Sequence, residues 1–202
     1  MELRETYDRI AEEWHKDHRQ DTWWTGGTDA FISRLKPGDL VLDVGCGGGT
    51  KSRYLIKKEL RVIGIDFSPK MVEIAKREVP EGDFRVLDLN DAGALGRAFV
   101  GIFAQAVLLH TPRKEMANTF KLLAGMLKEG GYLYVAVKAR RLQGVEEETR
   151  TENDYGFPFR RFFSYFDLGE IESHMRETGL DVVFSDVQPS GSSNWIQVIG
   201  RK

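Results

Sequence analysis

The stretch VLDVGCGGGTKSRYL, from Val41 to Leu55, limits the fold of this chain more than any other. Val41 to Val44 is strand-like, with Asp43 its one polar residue. Gly45, Gly47, Gly48 and Gly49 then make a turn, and a helical pattern begins near Thr50. Strand, tight glycine turn and helix together form the phosphate- or nucleoside-cradling unit of doubly wound α/β folds. Glycine admits positive φ and lets a ligand approach the backbone with no Cβ in the way, and the helix start offers unpaired N–H groups. The spacing is G-x-G-x-G (Gly45, Gly47, Gly49), not the G-x-G-x-x-G of dinucleotide sites, and no Gly-Lys-Ser/Thr follows. Asp43, inside the strand, places a carboxylate beside the turn, which suits a ligand with a cationic end. Alone, such a turn is equally an ordinary loop, so the rest of the chain decides.

The remaining pattern alternates. An amphipathic helix is expected from Glu2 to about Arg19, with Leu3, Tyr7, Ile10, Ala11 and Trp14 near helical spacing. Asp21–Thr28 reads as a loop holding Trp23 and Trp24, and Asp29–Leu35 as a short helix stopped by Pro37-Gly38. Strands follow at Leu60–Ile65, Asp83–Leu87, Phe99–Leu109 and Tyr132–Val137, separated by helices opening at Ser68-Pro69 and at Thr111-Pro112. The strands are nearly continuously apolar, which argues for a parallel sheet covered on both faces. Asp66 and Asp88 close two of them, at the edge where open α/β sheets take ligands. Arg140–Phe159 is polar and reads as a long loop, Arg160–Phe166 (RRFFSYF) is basic and aromatic, and Asp167 starts a helix. Leu180–Val187 and Trp195–Gly200, joined by QPSGSSN, form an antiparallel pair.

Composition removes several function classes. A length of 202 residues suits one domain, and 41% hydrophobic residues allow a sizeable core. A net charge of −2, from 29 basic and 31 acidic residues, gives no general reason to expect a nucleic-acid partner. One cysteine, Cys46, leaves no intrachain disulfide framework and no cysteine cluster for a metal, and no His and carboxylate pair has metal spacing. No apolar run approaches the roughly 20 residues that span a bilayer, and the charged N-terminus is unlike a secretory signal. A metal-independent, cytoplasmic monomer or homodimer is expected.

These motifs resemble class I S-adenosylmethionine-dependent methyltransferases over essentially the whole chain. VLDVGCGGG, VIGIDFSPKMVEIAK, FRVLDLN, LLHTP, LKEGGYLYVAVK and the terminal hairpin come in the family's order. Phe99–Pro112 and Arg161–Phe166 further resemble "FDGIWAxASLLHVP" and "RFFTYY" of a group of small bacterial members. The resemblance implies an α/β, Rossmann-like, doubly wound seven-stranded sheet, mostly parallel with a C-terminal antiparallel hairpin. It implies one domain over residues 1–202, with lid helices over about 1–36 and an insertion loop over about 140–160. S-adenosyl-L-methionine is the implied cofactor and S-adenosyl-L-homocysteine the product.

The resemblance also implies roles. Asp43 lies near the methionine moiety; Gly45, Cys46 and Gly47 pack their backbone against the cofactor; Asp66 accepts both ribose hydroxyls. Phe67 and Met71 flank the adenine, Asp88 accepts its amino group and the Leu89 N–H reaches a ring nitrogen. A carbonyl at Ala104 or Gln105 receives the methionine ammonium, and Tyr7 and Trp14 close over that end. Two departures stand out: Val100 replaces the family's aspartate in the fourth strand, and Ala139-Arg140 replaces an acidic residue and glycine.

Methyl transfer from a sulfonium asks for alignment and desolvation more than for protein chemistry. A base is needed only if the acceptor must lose a proton, and His110 is the candidate; its other reading is a histidine packed beneath the pocket. His15 and His18 are expected to face solvent, and His174 to lie away from the site. Trp23, Trp24, Arg161, Phe163 and Tyr165 could wall a small planar or anionic acceptor, or else pack as a lid, a core or a salt-bridged face. A small-molecule methyltransferase is the favoured reading. The alternatives are an enzyme acting on RNA or protein, supported only by Arg140, Arg141, Arg160 and Arg161, a non-catalytic cofactor-binding protein, and, less favoured, a nicotinamide dehydrogenase.

Overall fold

The computed structural model describes residues 3–141 and 144–202. Helices α1 (Leu3–His18) and α2 (Thr25–Ile32) precede β1 (Leu40–Val44), α3 (Thr50–Lys57), β2 (Arg61–Asp66), α4 (Pro69–Glu78), β3 (Asp83–Val86) and β4 (Phe99–Gln105). Then come α5 (Met116–Met126), β5 (Leu127–Lys138), β6 (Glu147–Glu152), β7 (Phe159–Ser164), α6 (Leu168–Glu177), β8 (Asp181–Ser190) and β9 (Ser193–Arg201). Seven strands form one sheet in the order β3-β2-β1-β4-β5-β9-β8, and β6 pairs with β7 in a separate two-stranded sheet. In the seven-stranded sheet β9 runs antiparallel to both neighbours and the other pairings are parallel. This is the doubly wound sheet with its C-terminal antiparallel hairpin that the sequence implied.

The apolar runs are buried as parallel strands require. Val41, Leu42, Ile102, Phe103, Leu133 and Val135 are fully buried, and helices cover both faces of the sheet. Phe103 and Tyr134, on neighbouring β4 and β5, stack with ring centroids 4.6 Å apart and planes 7° from parallel. The order reverses at β1, whose neighbours are β2 and β4, and the carboxyl ends beside that reversal frame a crevice.

Local chemistry sets several boundaries. Ser68 caps α4 by accepting the Met71 N–H at 3.1 Å, and Pro69 fills the first helical position. A reciprocal capping box of Asp167 and Glu170 opens α6. Elsewhere the structure differs from the sequence pattern. The fourth strand stops at Gln105, because Ala106 adopts φ 55° and Leu108–His110 turns as a 3-10 segment. The loop expected before residue 28 already holds the first turn of α2, and α5 begins at Met116 after a 3-10 turn. Much of the expected 140–160 loop is strand: β6 and the first residues of β7 form an antiparallel hairpin. β6 is polar on both faces, so it carries no alternation to read.

Truncating Phe103 removes one half of the stacked pair from a site with no exposure. Phe103→Ala is expected to lower the unfolding free energy by about 3–5 kcal/mol, read from urea denaturation against the wild type.

Candidate active site

The glycine turn is held from below. Gly45 and Cys46 donate their N–H groups to the Ile65 carbonyl at 2.8 and 3.0 Å, and Gly49 donates to the Cys46 carbonyl at 3.0 Å. Gly45 has φ +68°, and a Cβ there would stand 2.5 Å from a Val107 methyl, so conformation and space both demand glycine. The turn lines a cavity of about 290 Å³ at the carboxyl edge of β1, β2, β4 and β5.

Asp66, the last residue of β2, joins the turn to α4. One carboxylate oxygen accepts the Gly47 N–H at 3.0 Å and the other the Ser68 N–H at 2.9 Å. Each oxygen keeps lone-pair capacity toward the cavity. Burial pushes the carboxyl up to about 6 against the two N–H groups, which pull it down. Asp43 is deeper: Ser52 of α3 donates to it at 2.5 Å, and burial pushes it up to about 7. The floor of the cavity is therefore acidic, with the half-buried Lys51 as a neighbouring cation whose pKa desolvation lowers.

The opposite wall comes from α1 and β7. Asp8 accepts from the Ser68 hydroxyl at 2.6 Å and the Lys70 N–H at 3.1 Å, and Arg77 forks onto Glu12 at 2.7 and 3.1 Å, so α1 is fixed across α4. This presents Tyr7 and Trp14 to the cavity, with their rings edge to face 6.1 Å apart. Arg161 of β7 forms a bidentate pair with Glu152 of β6 at 2.6 and 2.7 Å, largely shielded from solvent.

His110 is fully engaged. Its Nδ1 lies 2.7 Å from the Phe162 carbonyl and its Nε2 2.7 Å from the Tyr7 hydroxyl. A carbonyl only accepts, so Nδ1 carries the proton and the Tyr7 hydroxyl donates to Nε2. Burial, with Arg161 and Lys138 nearby, pushes its pKa down to about 3. In this arrangement the histidine is neutral and both ring nitrogens are occupied, which fits the packed reading of the residue better than the base reading.

Of the residues implied by the sequence, Tyr7, Trp14, Asp43, Gly45, Cys46, Gly47, Asp66, Phe67, Met71, Gln105 and His110 line the cavity. Of the acceptor candidates, Trp23, Arg161 and Phe163 line it as well. Five residues lie outside its wall. Ala104 is buried in the core, and Leu89 packs against that core. Asp88 caps the 3-10 segment after β3, accepting the Asn90 N–H at 2.9 Å, close enough to Asp66 to raise its pKa. Trp24 is buried against Tyr54, ring edge to face at 5.2 Å. Tyr165 donates to Glu148 at 2.7 Å, facing a second cavity. Arg140 is spent on Glu146 and Asp167 and Arg161 on Glu152, which weakens the basic patch that alone favoured RNA.

Sequence reasoning missed His18, Lys138, Ser192 and Trp195, which line the cavity. His18 stacks on Trp14 at 4.4 Å rather than facing solvent, and His15 is buried below Gly48. Trp195 stacks on Trp23 at 4.0 Å. Lys138 ends β5, at the same sheet edge as Asp66, and that position was its available signal.

Residues 41–131 match the family model described as a methyltransferase domain. Those residues carry a methyltransferase domain, the family that the sequence motifs resemble. A ubiquinone biosynthesis O-methyltransferase of Xanthomonas axonopodis pv. citri is 32% identical over 114 residues, 54% of this chain and 47% of that protein. One from Xylella fastidiosa strain M23 is 34% identical over 166 residues, 68% of this chain and 65% of that protein. The matched part thus spans about half the length of the first of these relatives and under two thirds of the second. Among solved structures, 1,6-didemethyltoxoflavin-N1-methyltransferase of Burkholderia thailandensis, with 1,6-didemethyltoxoflavin and S-adenosylhomocysteine bound, has a TM-score of 0.78 at 17% identity, covering 99% of this chain and 87% of that one. Magnesium protoporphyrin IX methyltransferase of Synechocystis PCC 6803, with S-adenosylmethionine bound, has a TM-score of 0.74 at 18% identity, covering 99% and 95%. At these identities the likeness is one of fold, and it extends over 99% of this chain.

No cluster of three or more His, Cys, Asp or Glu among the described residues is placed to hold a metal ion. No described helix is long and apolar enough to cross a membrane.

The pKa of His110 gives a signed prediction. The unfolded chain takes up a proton there below about 6.5 and the folded chain only near 3, so this group lowers stability as pH falls between those values. Asp43 and Asp66, raised on folding, act in the opposite sense from about 7 and 6 down toward 3.8. Denaturation of His110→Phe against the wild type across that acid range isolates the histidine: the variant is expected to lose less stability on acidification.

Proposed function

We propose that this chain is an S-adenosylmethionine-dependent methyltransferase that acts on a small-molecule acceptor in the cytoplasm, by in-line displacement, and releases S-adenosylhomocysteine. Asp66 carries the reading. It is a buried carboxylate at the switch edge of the sheet, with both oxygens anchored by backbone N–H groups and still able to accept from a vicinal diol such as a ribose. The surroundings fit the rest of such a ligand. The acidic floor of Asp43 and Asp66 suits a cationic sulfur and ammonium. The Trp14 indole N–H and Gln105 amide nitrogen, both buried on the wall, have no hydrogen-bond partner among the described residues and are open to a ligand acceptor.

When bound, the cofactor supplies an activated methyl group on a sulfonium. The chain's own residues then hold and enclose. Gly45, Cys46 and Gly47 offer close backbone approach, and Gln105 and Ala104 end β4 beside the methionine moiety. Phe67 and Met71 cover the adenine, with Asp88 and Leu89 at its polar edge. Tyr7, oriented by His110, and Trp14 close the opposite side and exclude water. Trp23, Arg161 and Phe163 are the acceptor-facing residues of this reading. With His110 neutral and capped by Tyr7, the rate enhancement comes from alignment and desolvation.

Calorimetric titration with S-adenosylhomocysteine tests this, with NAD as control. Wild type is expected to bind the adenosyl ligand and ignore NAD, and Asp66→Ala to bind it about a hundredfold more weakly, having lost two charge-assisted hydrogen bonds. Binding needs the ionised carboxylate, so affinity falls as pH drops through about 6, and is expected to be about tenfold weaker at pH 5 than at pH 7. No binding by folded wild type, or equal binding by Asp66→Ala, would contradict the reading.

A further inference from the structure

A second cavity, of about 450 Å³, opens beside the first, and Lys138, Ser192 and Ser193 belong to both walls. It is rich in cations: Lys138, Arg140, Arg141 and Arg150 line it, against Glu148. Most of this charge is already answered. Arg140 pairs with Glu146 and Asp167. Arg150 lies 3.7 Å from Glu148, which also accepts from Tyr165. Two cations are left over. Arg141 donates to the Ser192 carbonyl at 2.9 Å and meets no carboxylate among the described residues. Lys138, half-buried at the seam, likewise has no carboxylate within ion-pair distance among the described residues. Glu152, the acidic group whose field reaches it, is clamped by Arg161 through both oxygens.

The Lys138 ammonium rests instead on aromatic faces, 4.5 Å from the Phe163 centroid and 5.7 Å from that of Trp195. Ring faces compensate part of a desolvated charge. They do nothing for the repulsion from Arg161, Arg150 and Arg141, which with burial pushes Lys138 down to about 8. A lysine needed only for packing here could be a methionine. The positive charge is kept where it has least local support, on the wall of a ligand cavity, which is the condition an incoming anion relieves. Beside it, Trp195 and Trp23 lie stacked 4.0 Å apart on the first cavity's wall, an aromatic surface for a planar group.

We infer that the acceptor is a planar organic acid whose carboxylate is held by Lys138 and Arg141 at the seam of the two cavities, with its methylated atom directed into the first. This rests on the methyltransferase reading and adds to it the acceptor's chemical class and the residues that select it. Lys138 is then a specificity residue, and its partner Arg141 lies at an exposed position where substitution leaves the core untouched.

The test uses tryptophan fluorescence with S-adenosylhomocysteine present. The probes are benzoate, 4-hydroxybenzoate and 2-naphthoate, each beside its neutral amide. Wild type is expected to bind at least one acid and to bind its amide about tenfold or more weakly, the worth of a charge-assisted hydrogen bond. Lys138→Met and Arg141→Met are each expected to erase that preference, with melting temperatures showing that both fold. Acids and amides bound alike, no acid bound up to its solubility, or full acid preference retained in both variants would overturn the inference. Calorimetry with S-adenosylhomocysteine on the same samples separates the two claims. Adenosyl binding without acid preference removes the acceptor class alone, whereas silence toward the adenosyl ligand removes the methyltransferase reading itself.

Discussion

The arrangement depends on one buried carboxylate. Asp66 ends β2 with 6% exposure and no cationic partner among the described residues, and it survives there because two backbone N–H groups meet it. One comes from the glycine turn after β1, the other from the residue that caps α4. Ser68 in turn donates to Asp8 of α1. Turn, helix start and covering helix therefore converge on a single side chain. The glycines serve this convergence, since Gly45 must pass beneath Val107 with positive φ for the turn to reach Asp66.

The cavity is electrically divided. Its floor holds Asp43 and Asp66, and its far side holds Arg161 and Lys138. A ligand that is cationic at one end and approached by an anionic partner matches that division, whereas a dinucleotide's pyrophosphate does not. Between the two regions stands His110, kept uncharged by burial and tied to Tyr7 and the Phe162 carbonyl. A histidine held this way adds no charge to a region already dense in it. Its work is to fix the tyrosine of α1 against β7.

The parts of the fold legible in the sequence are those where one physical rule acts alone. β1, β2 and the Tyr132–Val137 part of β5 are mostly apolar because they are covered on both faces, and Asp66-Phe67-Ser68-Pro69 spells a strand end followed by a helix cap. Where rules compete, the sequence misleads. Val107–Leu109 continues the apolar run of β4 because these residues still pack on the core, yet Ala106 has already turned the chain. β6 is polar on both faces and shows no hydrophobic periodicity, so its strand character comes only from pairing with β7.

The site follows the same division. Asp43, Asp66, Gly45 and Gly47 are readable because they adjoin a motif in sequence. Lys138, Trp195 and His18 reach the cavity through β5, β9 and α1; the strand end marks Lys138, and no local pattern marks the other two. The sequence points to His110 as a residue of the cavity wall but not to its hydrogen bonds, because the two groups that occupy its nitrogens lie 52 and 103 residues away in sequence. The most direct test of the central claim is a crystal structure of the protein grown with S-adenosylhomocysteine. The account predicts both ribose hydroxyls on the Asp66 carboxylate, with the methionine moiety running beneath Tyr7 and Trp14 toward Gln105. A ligand bound elsewhere, or a ribose that leaves Asp66 untouched, would contradict it.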